Sequence, residues 1–241
     1  MIDGQVSANV DARFSEIHKF LTHIKNLESS AILDKDSVSG EIATILRGLF
    51  FVQLYGAFEY AVSLTVKVLL QEISRVAVPY CGFEHLFHTV ALDAQFRSIS
   101  DTGSKWPKRK LLLEKQSSND ICALNDTVFQ DQLQNIWYDT LTDLFEYLCI
   151  PSKPVPEERM RGYIDEIVGY RNAVAHGDQS TLEVGRLKTI EDIEKRLDAM
   201  TRVTNHIITC FDDLLINRKF IASSHRPSYL LPQSEVSARL T

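Results

Sequence analysis

The feature that most limits the fold is a long stretch, from Gly40 to Val76, that is apolar on nearly every side. A helix that is hydrophobic all round is typical of the buried centre of a helical protein. Its most apolar part, from Ile42 to Leu70, is interrupted by Arg47, Gln53, Glu59 and Lys67. Because a membrane span needs about 20 predominantly apolar residues, we expect the central helix of a bundle here rather than a membrane segment.

Amphipathic patterns flank this central helix. Their apolar residues recur at spacings of three and four, which is the period of a helix with one buried face. They predict helices at about 7–27, 129–149 and 157–176, and a last helix from Thr189 onward, in addition to the central helix at 40–76. Thr189 and Asp192 have the spacing of a capping box at the start of that last helix. The polar segment 31–40 is predicted to be a loop.

Together these patterns predict an all-α fold, a helical bundle of four to five long helices. The sequence shows no convincing pair of strands and no glycine pattern typical of a phosphate-binding loop. Residues 77–128 are broken up by glycine and proline, and we expect them to form an irregular insertion. The helical domain is then expected to cover residues 1–221, and the polar residues 222–241 to form a flexible tail.

Three glycines carry more local predictions. Gly48 and Gly56 lie inside the long central helix, where glycine costs about 1 kcal/mol relative to alanine. We therefore expect a neighbouring helix to approach closely at these positions. Gly177 directly follows the helix predicted at 157–176 and is well placed to be its C-cap.

Charge and cysteine usage exclude several classes of protein. The formal net charge is −6, so the protein as a whole is not attracted to nucleic acid, and any RNA contact needs a local basic patch. The four cysteines form no C-x-x-C pair and no secretion signal precedes them, which predicts a reduced protein in the cytoplasm. Cys81, His85 and His88 are closely spaced, but nothing nearby completes a tetrahedral set of ligands. We therefore expect neither a metal site nor a cofactor.

One local basic patch is present, in the predicted insertion. It surrounds Trp106 and consists of Lys105, Lys108, Arg109 and Lys110. A basic run beside an aromatic ring can hold RNA through phosphate contacts and base stacking. The same composition also suits a solvated helix face, so both interpretations stay open.

The segment that carries chemistry lies at the end of a predicted helix. Arg171 and His176 form an R-x4-H motif, with Asn172 after the arginine and a glycine after the histidine. Residues 46–60 form a long apolar helix that contains an acidic residue, and a polar helix leads to the motif. These features resemble the HEPN family (higher eukaryotes and prokaryotes nucleotide-binding domain), in particular its bacterial toxin and phage-defence branch. The resemblance covers most of residues 1–221.

The resemblance implies a metal-independent endoribonuclease. In the family, the RNA 2′-hydroxyl attacks the adjacent phosphate and leaves a 2′,3′-cyclic phosphate and a 5′-hydroxyl, with arginine and histidine contributed by both subunits of a dimer. Arg171 and His176 are then the catalytic residues of a homodimer that acts on RNA. Their chemistry agrees, because histidine transfers protons near neutral pH and a guanidinium stabilises charge on the reacting phosphate.

Three further residues are candidates around this pair. Asn172 either orients the scissile phosphate or caps local backbone, and Tyr170 is expected to pack rather than to catalyse. Glu59 is a carboxylate in an apolar helix, where such groups are rare unless they are paired. It is expected either to hold the motif arginine or histidine in place or to form a salt bridge with Arg47 or another cation. The alternative for the motif residues themselves is a structural ion pair at a helix end.

Three functions remain in competition at this point. The leading hypothesis is an RNase that serves as a toxin or anti-phage defence effector and is restrained by an antitoxin or another partner from a defence system. The second is a non-catalytic HEPN module that binds RNA, a nucleotide or a protein. The third is a structural helical adaptor. The intact R-x4-H motif favours the first.

Overall fold

The computed structural model describes residues 1–34, 37–100 and 105–230 of the chain, apart from the side chains at positions 34, 37 and 100. Within these residues it contains nine α-helices and no strand, which confirms the all-α prediction. The helices are α1 (Asp3–Asp34), α2 (Ser37–Arg75), α3 (His88–Ala91), α4 (Asp93–Ser100), α5 (Lys105–Gln116), α6 (Tyr138–Tyr147), α7 (Met160–His176), α8 (Thr181–Arg186) and α9 (Ile190–Ile216). Short 3₁₀ turns cover Tyr80–Gly82, Gln132–Gln134 and Arg226–Tyr229.

Helix α2 lies at the centre of the bundle and packs against α1, α7, α8 and α9. Its largest side chains are fully enclosed: Phe50, Phe51, Leu54 and Phe58. Burying each such side chain stabilises the fold by roughly 1.5–3 kcal/mol. By length and composition α2 is apolar enough to cross a membrane, but 56% of its most apolar window is buried inside the bundle. The packing agrees with the expected role of α2 as a core helix.

Helix α9 forms a second wall of the core. Its apolar stripe from Ile193 to Leu214 is buried, and Thr204 fills a gap in that stripe by donating to the Met200 carbonyl oxygen at 2.9 Å. The predicted capping box is present, because the Thr189 side chain accepts from the Asp192 backbone and the Asp192 carboxylate accepts from the Thr189 backbone. The start of this long helix was therefore readable from local sequence.

Two segments differ from their predicted structure. The loop predicted at 31–40 is wrong, because α1 continues to Asp34 and α2 already begins at Ser37; positions 35 and 36 lie outside the described residues. Ile32 and Leu33 remain exposed there, so the helix continues through backbone hydrogen bonding without the buried periodicity that signals packing.

The helix predicted at 129–149 begins only at Tyr138. The preceding residues form turns, because the Tyr55 hydroxyl donates to the Gln134 carbonyl oxygen and accepts from the Ile136 backbone N–H, both at 3.0 Å. A side chain of α2 thus takes the backbone groups that a helix at this place would have paired internally.

The predicted insertion contacts residues 221–226 near the end of the described chain. Isolated β-bridges join Pro79 to Ile121 and Phe83 to Ile221. Arg226, within the segment expected to belong to the tail, donates to Glu84 at 3.1 Å. Ala222 and Arg226 therefore contact the insertion through hydrogen bonds, whereas positions 231–241 lie outside the described residues. The limits drawn at 77–128 and 221 stay predictions.

Candidate active site at the end of helix α7

The end of α7 is positioned by a contact between the backbones of α2 and α8. A Cβ atom on Gly48 would lie well inside the van der Waals radius of the Thr181 carbonyl oxygen, and one on Gly185 would collide in the same way with the Thr44 carbonyl oxygen. Only glycine permits this approach. The close approach predicted at Gly48 is confirmed. The one predicted at Gly56 is wrong, because a Cβ there would meet nothing within 4 Å.

The chain between α7 and α8 is short and well capped. Gly177 adopts the left-handed conformation with φ 79°, which confirms it as the C-cap of α7. Its N–H donates to the Val174 carbonyl oxygen at 3.2 Å. Ser180 and Glu183 then form a capping box at the start of α8. Because the backbone groups at both ends of this connection form hydrogen bonds, the last turn of α7 has a defined position relative to α2.

The opposite side of α7 is anchored to α9 by a carboxylate. Glu166 accepts hydrogen bonds from Lys188 and, at 2.7 Å, from Nε of Arg196. Although burial acts to raise it, the two cationic donors hold the pKa of Glu166 below its ordinary value. The ion pairs therefore favour the charged form and fix the rotation of α7 about its axis.

Arg171 is partly buried and held by neutral partners. Its Nη1 donates to Asn135 Oδ1 at 3.1 Å and to Asn172 Oδ1 at 2.8 Å. Its guanidinium lies over the Tyr55 ring, 4.7 Å from the ring centre. Among the described residues no salt bridge to Arg171 is recorded, so its positive charge is not neutralised by a carboxylate in direct contact. A guanidinium has five N–H donors, which leaves others to point at an anion.

His176, the last residue of α7, is exposed to solvent. Within the part of the chain that the structure describes, no hydrogen bond to its ring is recorded. Five positions on an α-helix correspond to about 140° of rotation and about 7.5 Å of rise, so Arg171 and His176 leave α7 in different directions. In the described part of the chain, no salt bridge of either side chain with a carboxylate is recorded. One α7 helix therefore does not direct both side chains at the same atom of a substrate.

Glu59 lies near Arg171 but is not bonded to it. It is partly exposed, and burial raises the pKa of its carboxyl above the ordinary value while the charge of Arg171 acts in the opposite direction. The pairing of Glu59 with Arg47 considered from the sequence is wrong, because Arg47 contacts Glu28 at 3.0 Å instead. The other alternative, that Glu59 supports Arg171, stays a prediction.

The structure gives Asn172 and Tyr170 distinct surroundings. Asn172 accepts from Arg171 through Oδ1, a contact that steadies the guanidinium. Tyr170 packs on Phe51 with ring centres 4.9 Å apart, and Lys188 lies 5.7 Å from the Tyr170 ring centre. These contacts agree with Tyr170 as a packing residue.

Tyr55 and Asn135 were not found from the sequence. The two hydrogen bonds of the Tyr55 hydroxyl hold residues 134–136 so that Asn135 reaches Arg171. Burial raises the pKa of Tyr55, which keeps its hydroxyl protonated as a donor. One signal was present, since Tyr55 stands four positions before Glu59 and therefore on the same helix face.

The basic helix α5 lies away from this site. None of its residues is buried, and Trp106 is 77% exposed with the Arg109 guanidinium 5.1 Å from its ring centre. The C-terminal part of α5 contacts the Tyr80 ring through Lys115, beyond the end of α2. The distance along α2 from Tyr55 to the end of the helix is about 30 Å, because an α-helix rises about 1.5 Å per residue. The structure thus does not bring Lys105, Lys108, Arg109 and Lys110 together with the motif.

Among the described residues, no group of three or more His, Cys, Asp or Glu side chains is arranged to hold a metal ion. His88 contacts the Tyr80 carbonyl oxygen through Nε2 at 2.9 Å, and Cys81 contacts Asn119. The closely spaced Cys81, His85 and His88 therefore do not converge on one point. All four cysteines are free thiols.

The fold and motif together define a class: an all-α bundle in which an R-x4-H motif closes a capped helix beside a long buried helix. A family model described as RiboL-PSP-HEPN matches residues 9–217, and the chain belongs to this HEPN family. HEPN domains are known for RNase or nucleotide-binding roles. No curated protein and no solved structure matches the chain significantly.

Proposed function

We propose that this protein is a metal-independent endoribonuclease in which Arg171 and His176 are the catalytic residues. The observation that carries the proposal is the state of Arg171: its guanidinium is held in place by amide oxygens and keeps its positive charge available. An arginine that served only the fold would be expected to pair with a carboxylate, as Arg196 does with Glu166. A guanidinium that is held in place and has no recorded salt bridge in the described residues suits an RNA phosphate.

The reaction is an internal transfer of the phosphate. A base removes the proton of the RNA 2′-hydroxyl, and the oxygen attacks the neighbouring phosphorus. The bond from phosphorus to the 5′-oxygen breaks, and an acid gives that oxygen a proton. The products are a 2′,3′-cyclic phosphate and a 5′-hydroxyl. Arg171 would stabilise charge on the non-bridging oxygens, and His176 would transfer protons.

The working enzyme is proposed to be a homodimer. The cleavage needs both a base and an acid, and one chain supplies one motif histidine, which leaves α7 away from Arg171. A two-fold axis near the end of α7 would bring a second His176 to the same cleft. Domains of the HEPN family often dimerise, which adds support.

Helix α5 is proposed to be a secondary RNA contact. Residues 105–116 contain five basic residues and one acidic residue, a local charge of +4 in a chain whose net charge is −6. Lys108 donates to the Ser98 carbonyl oxygen and Lys110 pairs with Glu114. Lys105 and Arg109 are exposed beside Trp106, so they offer a cationic and aromatic surface to a phosphate and a base.

The competing function is a non-catalytic HEPN module that binds RNA, a nucleotide or a protein. One observation favours it: among the described residues no side chain is recorded to orient the His176 ring, whereas catalytic bases are usually oriented by a third group. Under either function we expect a cytoplasmic protein. An RNase that acts as a toxin or defence effector also needs a partner that restrains it, such as an antitoxin or a defence-system protein.

The test is RNA cleavage in the presence of EDTA, with the ends of the products mapped. The wild type should release 2′,3′-cyclic phosphates and 5′-hydroxyls, and His176→Ala should lose at least about 100-fold in rate. His23→Ala is the matched control, since His23 is an exposed histidine on α1, and its rate should equal that of the wild type. Equal rates for the wild type and His176→Ala would overturn the proposed site, and binding without cleavage would favour the binding module.

A further inference from the structure

A groove of about 470 Å³ runs along α2 from the neighbourhood of Arg171. One wall is the α2 face from Glu59 to Lys67, and the other is the segment 126–134; we call this cleft the α2 groove. Its beginning is tied to the candidate active site through both walls. Glu59 faces the charge of Arg171, and Gln134 precedes Asn135, whose Oδ1 accepts from Arg171.

The lining of the α2 groove suits a nucleobase better than a phosphate. Its floor is apolar, with the buried side chains Val66, Phe129 and Leu133. Its edges carry Ser63 and Gln130, which can exchange hydrogen bonds with the rim of a planar ring. A mostly apolar cleft with a few polar groups at its edges is the usual form of a small-molecule site.

The charges in the groove also favour a nucleobase over a phosphate. Glu59 and Asp126 place negative charge inside it, which repels a phosphate. Asp126 already accepts from Gln71 at 2.7 Å, whereas no hydrogen bond or ion pair to Glu59 is recorded among the described residues. Lys67 is exposed at the other end of the α2 groove. It lies about 12 Å from Glu59 along α2, since a helix rises about 1.5 Å per residue. The cations Arg171 and Lys67 thus flank a groove whose interior is acidic and apolar.

Glu59 gives this groove a chemical preference. A carboxylate only accepts hydrogen bonds, so its partner on a base must be a donor. Adenine, cytosine and guanine carry an exocyclic amino group, and carboxylates accept from the amino group of cytosine in known recognition patterns. Uracil has no amino group, and its ring N3–H is its one donor on the base edge.

We propose that the α2 groove binds a nucleobase of single-stranded RNA next to the phosphate held by Arg171, with Glu59 accepting from an exocyclic amino group. This inference rests on the proposed function, because it takes Arg171 as the phosphate contact. It makes Glu59 a specificity residue and places base selection on α2 and the segment 126–134.

The experiment measures binding of short fluorescent oligoadenylate, oligocytidylate and oligouridylate RNAs to the full chain carrying His176→Ala, which keeps the RNA intact. Oligoadenylate and oligocytidylate should bind about tenfold more tightly than oligouridylate. Adding Glu59→Gln should make the three affinities equal, because the acceptor for the amino group is lost. Equal affinities for the three RNAs in the parent protein would overturn the inference.

Two substitutions fill the groove from opposite walls. Ser63→Trp on α2 and Gln130→Trp on the facing segment should each weaken binding of oligoadenylate by about tenfold or more. Ser15→Trp, at an exposed serine of α1, is the matched control and should bind like the parent. Because two walls are tested separately, misfolding of one variant leaves the other to decide. Unchanged binding by both would overturn the inference.

Sedimentation of the same variants without RNA tests the other occupant, a second copy of the chain. If Ser63→Trp and Gln130→Trp split a dimer that Ser15→Trp leaves intact, the groove belongs to a subunit interface and the inference falls. Cleavage by the wild type, measured in parallel, separates this inference from the proposed function. If the wild type cleaves RNA and the groove variants bind RNA like the parent, the groove inference is contradicted and the proposed RNase stands. If binding is base-selective but the wild type does not cleave, the groove inference stands and the proposed RNase is contradicted.

Discussion

The two regions in which the sequence predicts RNA contacts are built in opposite ways. At the end of α7, Arg171 is partly buried, two amides hold it, and α8 is locked against α2 through glycine contacts. In α5 no residue is buried and Trp106 is 77% exposed. Chemistry at a phosphate needs side chains held to a fraction of an ångström, which only packing provides. Attraction of a phosphate needs only charge near the surface, so a solvated helix is sufficient.

The largest effect is expected at Arg171. Arg171→Ala should lower the maximal cleavage rate about 10²- to 10³-fold, because the charge on the reacting phosphate loses its positioned donors. Arg171→Lys should recover little, since an ammonium cannot reproduce the planar fork. Arg109→Ala in α5 should instead raise KM and leave kcat nearly constant. Steady-state kinetics separate the two effects, and a similar fall of kcat in both variants would show that Arg171 and Arg109 do not differ in role.

The next effect is on stability, at the crossing of α2 and α8. Gly185→Ala should lower the free energy of unfolding by about 2–3 kcal/mol, because its Cβ collides with backbone that cannot move aside. Gly162→Ala on α7 is the matched control. Its Cβ would meet open space, so it should raise stability by about 0.5–1 kcal/mol. Urea unfolding measures both, and equal effects would show that α8 is not held by this contact.

A smaller effect is expected at Tyr55, which carries the segment that supports Arg171. Tyr55→Phe removes the acceptor of the Ile136 N–H and the donor to Gln134, and should cost about 1–2 kcal/mol of unfolding free energy. It should also lower kcat, because Asn135 loses its fixed position. Tyr147→Phe is the control, since no hydrogen bond of the Tyr147 hydroxyl is recorded in the described residues. A loss of stability with kcat intact would mean that Asn135 does not serve catalysis.

The smallest effect is expected in α5 and depends on salt. Replacing both Lys105 and Arg109 by alanine should weaken RNA binding a few-fold. The slope of log affinity against log salt should fall in magnitude by about 1.4, because two contacts between a cation and a phosphate of single-stranded RNA are lost. Lys19→Ala, at an exposed position of α1, should leave the slope unchanged. Anisotropy titrations over a range of salt give both values. An unchanged slope in the α5 variant would show that this helix is only a solvated face.

Local patterns explain why some helix limits were predictable and others were not. The capping box at Thr189 and the glycine at position 177 satisfy backbone groups of their own helices, so they are readable from short stretches. The helix over Ile32 and Leu33 buries neither side chain, and the polar segment gave no periodicity to detect. Helix α8 was missed because its six residues are too few to show a period.

The sequence alone determined that the chain is all-α, that α2 is its buried centre, and that Arg171 and His176 stand at the capped end of a helix. These properties follow from periodicity and from caps, which act over a few neighbouring residues. The partners that hold Arg171, the place of α8 and the groove beside Glu59 depend on how the separate helices pack. Asn135 is 36 positions from Arg171, and the Tyr55 contact with Gln134 spans 79 positions. Such contacts form between residues far apart in the chain and leave no periodic trace in it, because they arise only when separate helices pack.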